Sequence, residues 1–337
     1  MFERLIAPST EQQITKHWQY SDKVYTSIIC TTFNQEDYIR DAINGFLAQI
    51  TQYKFEIIIH DDLSTDNTRH IIKEYQQKYP SIIKLVLQDV NQFSMNINLP
   101  FKHSLAIAKG EYVALCEGDD FWVDGSKLQK QLIELNKRTN VNLCVHNAFT
   151  INSEGMAHPS YQFPVRDNST HIIDYIEIYK VHSQFSPTAS MFIRKSTLDS
   201  LPNFFYDAPI GDFFLEALSG INGVVYLHEK MSVYRRESHN SWSSETINNI
   251  NKQKKHNICM LEAIERLECY TKGKYSSYIQ LKKQFIYGQL CMQSLLQHKY
   301  LEAVKYFNKY CSKGFHLKSL LSLVYRCFKT FLRRRVF

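Results

Sequence analysis

Two groups of acidic residues carry the clearest chemical signal in the chain. Asp61 and Asp62 follow the apolar run at 55–60, and Glu117, Asp119 and Asp120 follow a second run at 112–116. Carboxylates this close together repel one another unless a cation offsets their charge. Hard oxygen donors with no neighbouring His or Cys favour Mg²⁺ or Mn²⁺, ions that keep part of their water and bridge substrate phosphates. The first strand is not followed by GxGxxG, and the chain has no GxxxxGK[ST], so neither dinucleotide nor P-loop chemistry is indicated. A metal site without a phosphate-cradling lysine loop suits a diphosphate leaving group that the metal neutralises. Each acidic group also has a plain reading. Asp61-Asp62 with Ser64 and Asp66 suits a turn and helix cap, and Asp119-Asp120 before Phe121-Trp122 suits a turn.

The elements around these groups decide between the readings. Residues 24–32, VYTSIICTT, form a β-branched run suited to a buried strand. A helix over 38–49 follows, with Ile39, Ile43, Phe46 and Leu47 on one face. Next come a strand at 55–60, a helix closed by Pro80, a strand at 82–87 and an Asn-rich loop at 88–99. Pro100 opens a helix that Gly110 ends. A strand at 112–116, a helix over 124–138 and a strand at 142–149 complete the alternation. This order predicts an α/β fold, a doubly wound and mainly parallel sheet with helices on both faces. Ligands in such sheets bind beyond the carboxyl ends of the strands. Both acidic groups fall there, on one sheet edge, and this shared placement weighs against the plain readings.

Beyond residue 150 the pattern loosens. Residues 188–194, 224–227 and 231–236 read as strands, and Gly211-Asp212 precedes a short apolar helix at 213–218. From 245 onward helical spacing dominates, which predicts a helical C-terminal region.

The formal charge of the 337 residues is 40 − 33 = +7, with a sharp division inside it. Residues 241–337 hold 18 Lys/Arg and 5 Asp/Glu, a local +13, while residues 1–240 hold 22 and 28, a local −6. A nucleic-acid-binding body needs a basic face, so that class recedes. No apolar run approaches the roughly 20 residues that span a bilayer. The start, MFERLIAPSTEQQ, lacks the apolar core of a signal peptide. The eight cysteines form no CxxC pair and read as reduced thiols of a cytosolic protein, several of them buried. His256 and Cys259 lack a second ligand pair for zinc. The segment 317–337, LKSLLSLVYRCFKTFLRRRVF, mixes apolar and basic residues with no acid. It suits a helix lying on the inner, anionic face of a membrane, or equally a C-terminal helix packed on the core.

Four segments in order resemble glycosyltransferase family 2, the GT-A fold enzymes of bacterial surface-polysaccharide type. YTSIICTTFNQEDYIRDAI resembles the opening strand and turn, and IIIHDDLSTDNTRHIIKEY the second strand, acidic loop and helix. AKGEYVALCEGDDFW with KLQKQ resembles the metal-binding segment, and PIGDFFLEAL with MSVYRRESHNSWS the acceptor-side segments. The resemblance implies an N-terminal extension at 1–21 and a GT-A domain at 22–243. The domain divides into a nucleotide-sugar half at 22–150 and an acceptor half at 151–243, and a helical, basic region follows at 244–337.

Carried over residue by residue, the resemblance places Thr31 and Phe33 in the nucleotide-base pocket, with Phe33 stacking on the base. Asp62 would accept a hydrogen bond from the base, usually uracil. Asp119 would be the main ligand of Mn²⁺ or Mg²⁺ in the family's D-x-D motif, whose first Asp is Glu117 here. Glu117 and Asp120 would support, at ribose or at water. Asp212 would be the general base that takes the acceptor hydroxyl's proton, and a direct displacement of this kind inverts the anomeric carbon. The plain reading of Asp212 is a helix cap. Arg235 or Arg236 would contact the diphosphate. His239 would be an added metal or acceptor contact, or simply part of a solvated loop. Lys127 reads as a surface or sheet-edge charge. Leu63 stands where the family commonly has Gly, so the backbone there is expected to differ.

The implied reaction moves a sugar from a UDP-sugar to a saccharide or lipid-linked saccharide, with no nucleic-acid partner. One alternative is a sugar nucleotidyltransferase, but 31–35, TTFNQ, lacks the Gly-rich basic loop such enzymes need. Another is a non-catalytic, membrane-associated assembly protein, against which the intact acidic residues argue.

Overall fold

The β-branched run near the N-terminus forms strand β1 (Thr26–Thr32), buried along nearly its whole length. A computed structural model describes residues 2–152, 154–157, 168–181, 184–236 and 249–312. Strand β1 lies between β2 (Phe55–Asp61) and β4 (Tyr112–Leu115), and β3 (Ile83–Leu87) flanks β2. All of these neighbours run parallel. Among the described residues the sheet has nine strands, in the order β3-β2-β1-β4-β8-β6-β9-β5, with β7 paired to β9. Strand β6 (Leu143–Ile151) runs parallel to β9 (Val224–Arg235). Strand β8 (Phe192–Arg194) enters antiparallel between β4 and β6. The short strands β5 (Phe121–Trp122) and β7 (His171–Ile173) both run antiparallel to β9.

Helices cover both faces. On one, α2 (Ile39–Leu47) turns Ile39, Ile43, Phe46 and Leu47 inward, as the spacing predicts. These pack with Ile28, Cys30, Ile57, Ile59 and with Leu128, Leu132 and Leu135 of α6 (Lys127–Asn136) in one apolar core. Burying each such side chain stabilises the fold by about 1.5–3 kcal/mol. Helix α5 (Leu99–Ile107) contacts β1 and β2 and buries Leu105. Helix α3 (Thr68–Lys78) packs on β3, and α4 (Gln92–Met95), which meets α5, lies inside the Asn-rich stretch that reads as loop in the sequence. The remaining described helices of this part are α1 (Glu11–Thr15), α7 (Ile176–Lys180), α8 (Lys195–Asp199), α9 (Asn203–Tyr206) and α10 (Asp212–Ser219).

Several expectations change. Residues 188–190 form a 3₁₀ turn, so only the end of the 188–194 run is strand. Residues 224–227 and 231–235 belong to one strand, β9, with irregular register opposite His146 to Ala148. Lys127 is fully buried, contrary to its reading as a surface charge. Its ammonium donates to Gln131 Oε1 at 2.7 Å and lies 3.8 Å from the centre of the Trp122 ring. Parts of residues 2–20 are packed as well. Ile14 joins the core, Trp18 meets Phe55 edge-on, and Phe2 meets Phe121 and Phe149.

The chain divides into two compact units, 1–244 and 245–337. In the second, α11 (Ile250–Tyr270), α12 (Ser276–Leu296) and α13 (Tyr300–Cys311) meet through Lys254. Its ammonium donates to Ser294 Oγ at 3.1 Å and pairs with Glu302 at 2.5 Å. Among the described residues no helix is long and apolar enough to cross a membrane. His239 and the basic segment 317–337 lie outside the described residues.

Candidate active site

The end of β1 ties the two acidic loops together. The Asp62 amide donates to the Thr32 carbonyl at 3.0 Å, and the Gly118 amide to the Thr31 carbonyl at 3.0 Å. The contact leaves no room at Gly118 for a side chain, since a Cβ there would lie 2.4 Å from Gln35 Oε1. Glu117, Asp119 and Asp120 thus start from the same strand end as Asp61 and Asp62, as the α/β pattern requires.

The turn after β1 is laced to the loop after β2. Asn34 takes φ +52° and its amide donates to Ser64 Oγ at 2.9 Å, while the Thr65 amide donates to Asn34 Oδ1 at 2.7 Å. The Gln35 amide donates to Thr68 Oγ1, and the Glu36 amide to Asp66 Oδ2. This lacing leaves Thr31 half-buried and Phe33 37% exposed at the strand's mouth. Leu63 adopts φ +67°, the left-handed conformation that Gly takes most easily, so the backbone there keeps a glycine-like shape.

Asp61 and Asp62 are both buried and differ in role. Asp61 pairs with Arg69 Nε at 2.6 Å. Asp62 accepts from the Gln92 amide at 2.7 Å and the Phe93 amide at 2.9 Å, one on each carboxylate oxygen. It therefore caps the start of α4, and each oxygen keeps a further lone pair.

In the acidic loop, Glu117 keeps an exposed surface. Desolvation by the surrounding protein, then the charges of Asp119 and Asp212, raise its carboxyl above the usual carboxylate range. Asp120 is buried, Oδ1 accepts from the Arg235 amide at 2.8 Å, and Oδ2 has no hydrogen-bond partner. Burial and the two neighbouring carboxylates hold it well above the usual carboxylate range.

Arg235 lies beneath this loop, its side chain 3% exposed. Its Nε donates to the Asp119 carbonyl at 3.0 Å, and its Nη2 pairs with Asp41 at 3.3 Å. The guanidinium lies 4.5 Å from the Tyr38 ring centre and 5.5 Å from that of Phe121. Asp41 also pairs with Arg4 at 3.0 Å. These bonds make Arg235 a brace for the loop that carries Asp119.

Asp212 opens α10, and its Oδ1 accepts from the Phe213 amide at 2.7 Å. The helix N-terminus favours its charge. Its charge is the last of those that raise the Glu117 carboxyl, so α10 starts within electrostatic reach of the acidic loop. The preceding segment is fixed by Asn98, which is buried and donates from Nδ2 to the carbonyls of Phe205 and Ala208 at 3.0 and 2.9 Å. Asn98 carries no signal in the sequence beyond lying in an Asn-rich stretch.

Among the described residues no three His, Cys, Asp or Glu side chains converge to hold a metal by themselves. The crowded oxygen donors and the unpartnered Asp120 Oδ2 fit an ion that takes one or two carboxylates and completes its shell with water and phosphate.

The description "Glycosyl transferase family 2" matches residues 27–242. An uncharacterized protein of Mycobacterium bovis is 35% identical over 223 residues, 65% of this chain and 60% of the relative, so the chain spans less than two thirds of that protein. A poly(ribitol-phosphate) beta-glucosyltransferase of Bacillus spizizenii is 30% identical over 125 residues, 34% of this chain and 19% of the relative. Among solved structures, S. aureus TarS 1-349 in complex with UDP-GlcNAc superposes with a TM-score of 0.55 at 15% identity, over 87% of this chain and 93% of that one. The mannosyltransferase PcManGT from Pyrobaculum calidifontis, in complex with GDP-Man and Mn2+, gives 0.55 at 13% identity, over 96% and 88%. At these identities the structural likeness establishes a shared GT-A fold, and the match across residues 27–242 shows that the chain belongs to glycosyl transferase family 2.

Proposed function

We propose that this chain transfers a sugar, with inversion, from a UDP-sugar to a hydroxyl of a saccharide or lipid-linked saccharide during synthesis of a surface polysaccharide. The observation that carries the reading is the joining of both acidic loops to the end of β1, through the Asp62 and Gly118 amides at 3.0 Å each. Asp212, at the start of α10, supplies the carboxylate from the acceptor half that such a reaction needs as base.

Thr31 and the exposed face of Phe33 bound the base pocket. Asp62 holds α4 with one lone pair of each oxygen and offers another to the base. Asp119 would hold Mn²⁺ or Mg²⁺, and the ion, when bound, offsets the charge that grows on the departing diphosphate. Glu117 and Asp120 would support at ribose or at water, and Arg235 fixes the loop that carries them. Asp212 takes the proton from the acceptor hydroxyl, and attack opposite the diphosphate inverts the anomeric carbon. The UDP-GlcNAc complex of TarS supports the donor class, the Mn2+ complex of PcManGT the ion, and the poly(ribitol-phosphate) relative the polymer. We assign the basic segment 317–337 to contact with an anionic membrane surface, where a lipid-linked acceptor would lie.

The test begins with a thermal-shift screen of nucleotide sugars with Mn²⁺ and Mg²⁺, since a bound donor stabilises the fold by mass action. Transfer is then compared in wild type and Asp212→Asn. The substitution is expected to lower kcat by about 10²–10⁴-fold and to leave UDP affinity intact. An Asp212→Asn enzyme with the full transfer rate overturns the base assignment.

A further inference from the structure

Segment 91–99 reaches from the donor side of the site to the acceptor side. At one end Asp62 accepts the Gln92 and Phe93 amides. At the other, Asn98 turns inward and is 3% exposed. Its Nδ2 spends both hydrogens on the carbonyls of Phe205 and Ala208, at 3.0 and 2.9 Å. Its Oδ1 faces Gly211, where a Cβ would lie only 2.7 Å away. Gly211 has ordinary right-handed helical angles, φ −87° and ψ −47°, so the small residue answers to space and not to backbone shape. Its carbonyl accepts from the Leu215 amide at 2.9 Å, which makes it the first link of α10, and Asp212 follows directly.

We propose that Asn98 is a positioning residue that sets where Asp212 stands relative to the donor. The proposal rests on the reading of Asp212 as the base. The side chain grips the turn leading into α10 at two carbonyls and fills the space against Gly211, so the start of α10 cannot slide or rotate without breaking a buried bond. A buried amide that loses such partners is left unsatisfied at a cost comparable to a hydrogen bond, which keeps the grip closed. The grip is anchored on the segment that Asp62 caps, so the base and the donor-side carboxylate are referred to one short piece of chain. Misplacement of a reacting group by about 1 Å can cost about 10²-fold in rate.

The experiment uses the full chain, with Asn98→Ala, Gly211→Ala, their double variant and Asp212→Asn. Melting curves establish folding, calorimetry with UDP and Mn²⁺ reads donor binding, and steady-state transfer gives kcat and KM. Asn98→Ala is expected to lower kcat by about 10- to 100-fold, with donor KM and UDP affinity within twofold of wild type. Gly211→Ala is expected to act in the same way, because its methyl pushes on Asn98. In the double variant the added methyl meets space that Asn98 has vacated, so the two losses do not multiply. If Asn98→Ala fails to fold, Gly211→Ala alone carries the test through its effect on kcat at unchanged donor affinity.

Wild-type kcat in Asn98→Ala, or in Gly211→Ala where it stands alone, with an inactive Asp212→Asn overturns the positioning role and leaves the base assignment standing. Losses that multiply in the double variant, or a matching fall in donor affinity, also overturn it. A fully active Asp212→Asn enzyme removes the base reading and this inference with it.

Discussion

Arg235 fixes the acidic loop through bonds that a lysine cannot reproduce. Its Nε reaches the Asp119 carbonyl while Nη2 reaches Asp41, and the planar group lies against Tyr38 and Phe121. An ammonium offers neither the fork nor the flat face. Arg235→Lys is expected to cost about 1–3 kcal/mol of stability, by urea titration, because a hydrogen bond to a charged donor is lost in a buried site. The same variant is expected to need several-fold more Mn²⁺ for half-maximal transfer, since the loop carrying Asp119 loses its support. A lower stability with an unchanged Mn²⁺ requirement would confine Arg235 to holding the fold. The acidic residues were legible in the sequence because carboxylates at strand ends are few and their pattern is local. Arg235 was visible only as a charge near the expected site. Its partner Asp41 lies 194 positions away, and nothing local in the sequence ties the two together.

Lys127 shows the same limit at the scale of an element. It opens α6, where an exposed charge is the usual expectation, yet β5 turns Trp122 over it and closes water out. Burial pushes its ammonium down to about 7. The folded value lies below the unfolded one, so between about pH 7 and 10.5 the unfolded chain binds one more proton than the folded chain at this group. Stability therefore rises with pH across that window, by about 1.4 kcal/mol per pH unit from this group. Lys127→Met is expected to remove that rise. Urea titrations at several pH values between 7 and 10 check it, and parallel slopes in wild type and variant would show that Lys127 stays charged when folded. The longer strands and helices of the first 150 residues were legible because each carries its own period and stop signal, whereas α1, α4 and β5 are too short to show one. The sheet order was not. Strand β8 comes from a short run 70 residues beyond β5 in sequence and separates β6 from β4, and one long strand at 224–235 looked like two because its register breaks opposite His146 to Ala148.

At the scale of the whole chain, the uneven charge matches the division into two compact units. The body 1–240 carries −6 and the stretch 241–337 carries +13, and the units meet at 244/245. The core described around β1 and α2, the acidic loops, Arg235, Asn98 and Asp212 all belong to the first unit. The buried Lys254 and its partners Ser294 and Glu302 belong to the second. Each unit thus holds a buried polar network of its own. A chain ending at residue 244 is expected to melt cooperatively and to bind UDP with Mn²⁺ as the full chain does. The full chain is expected to float with vesicles containing anionic lipid and to be released by salt, since each Lys or Arg near such a surface contributes about 1 kcal/mol and the attraction falls off within about 10 Å at 0.1 M salt. The shortened chain, left with the acidic body, should stay behind. Flotation of the two proteins at low and high salt is the check. Equal flotation of both would place membrane contact in the first unit, whose net charge opposes it. Flotation of neither would assign the +13 to a protein partner or to the packing of the second unit, and would detach the acceptor from the membrane surface.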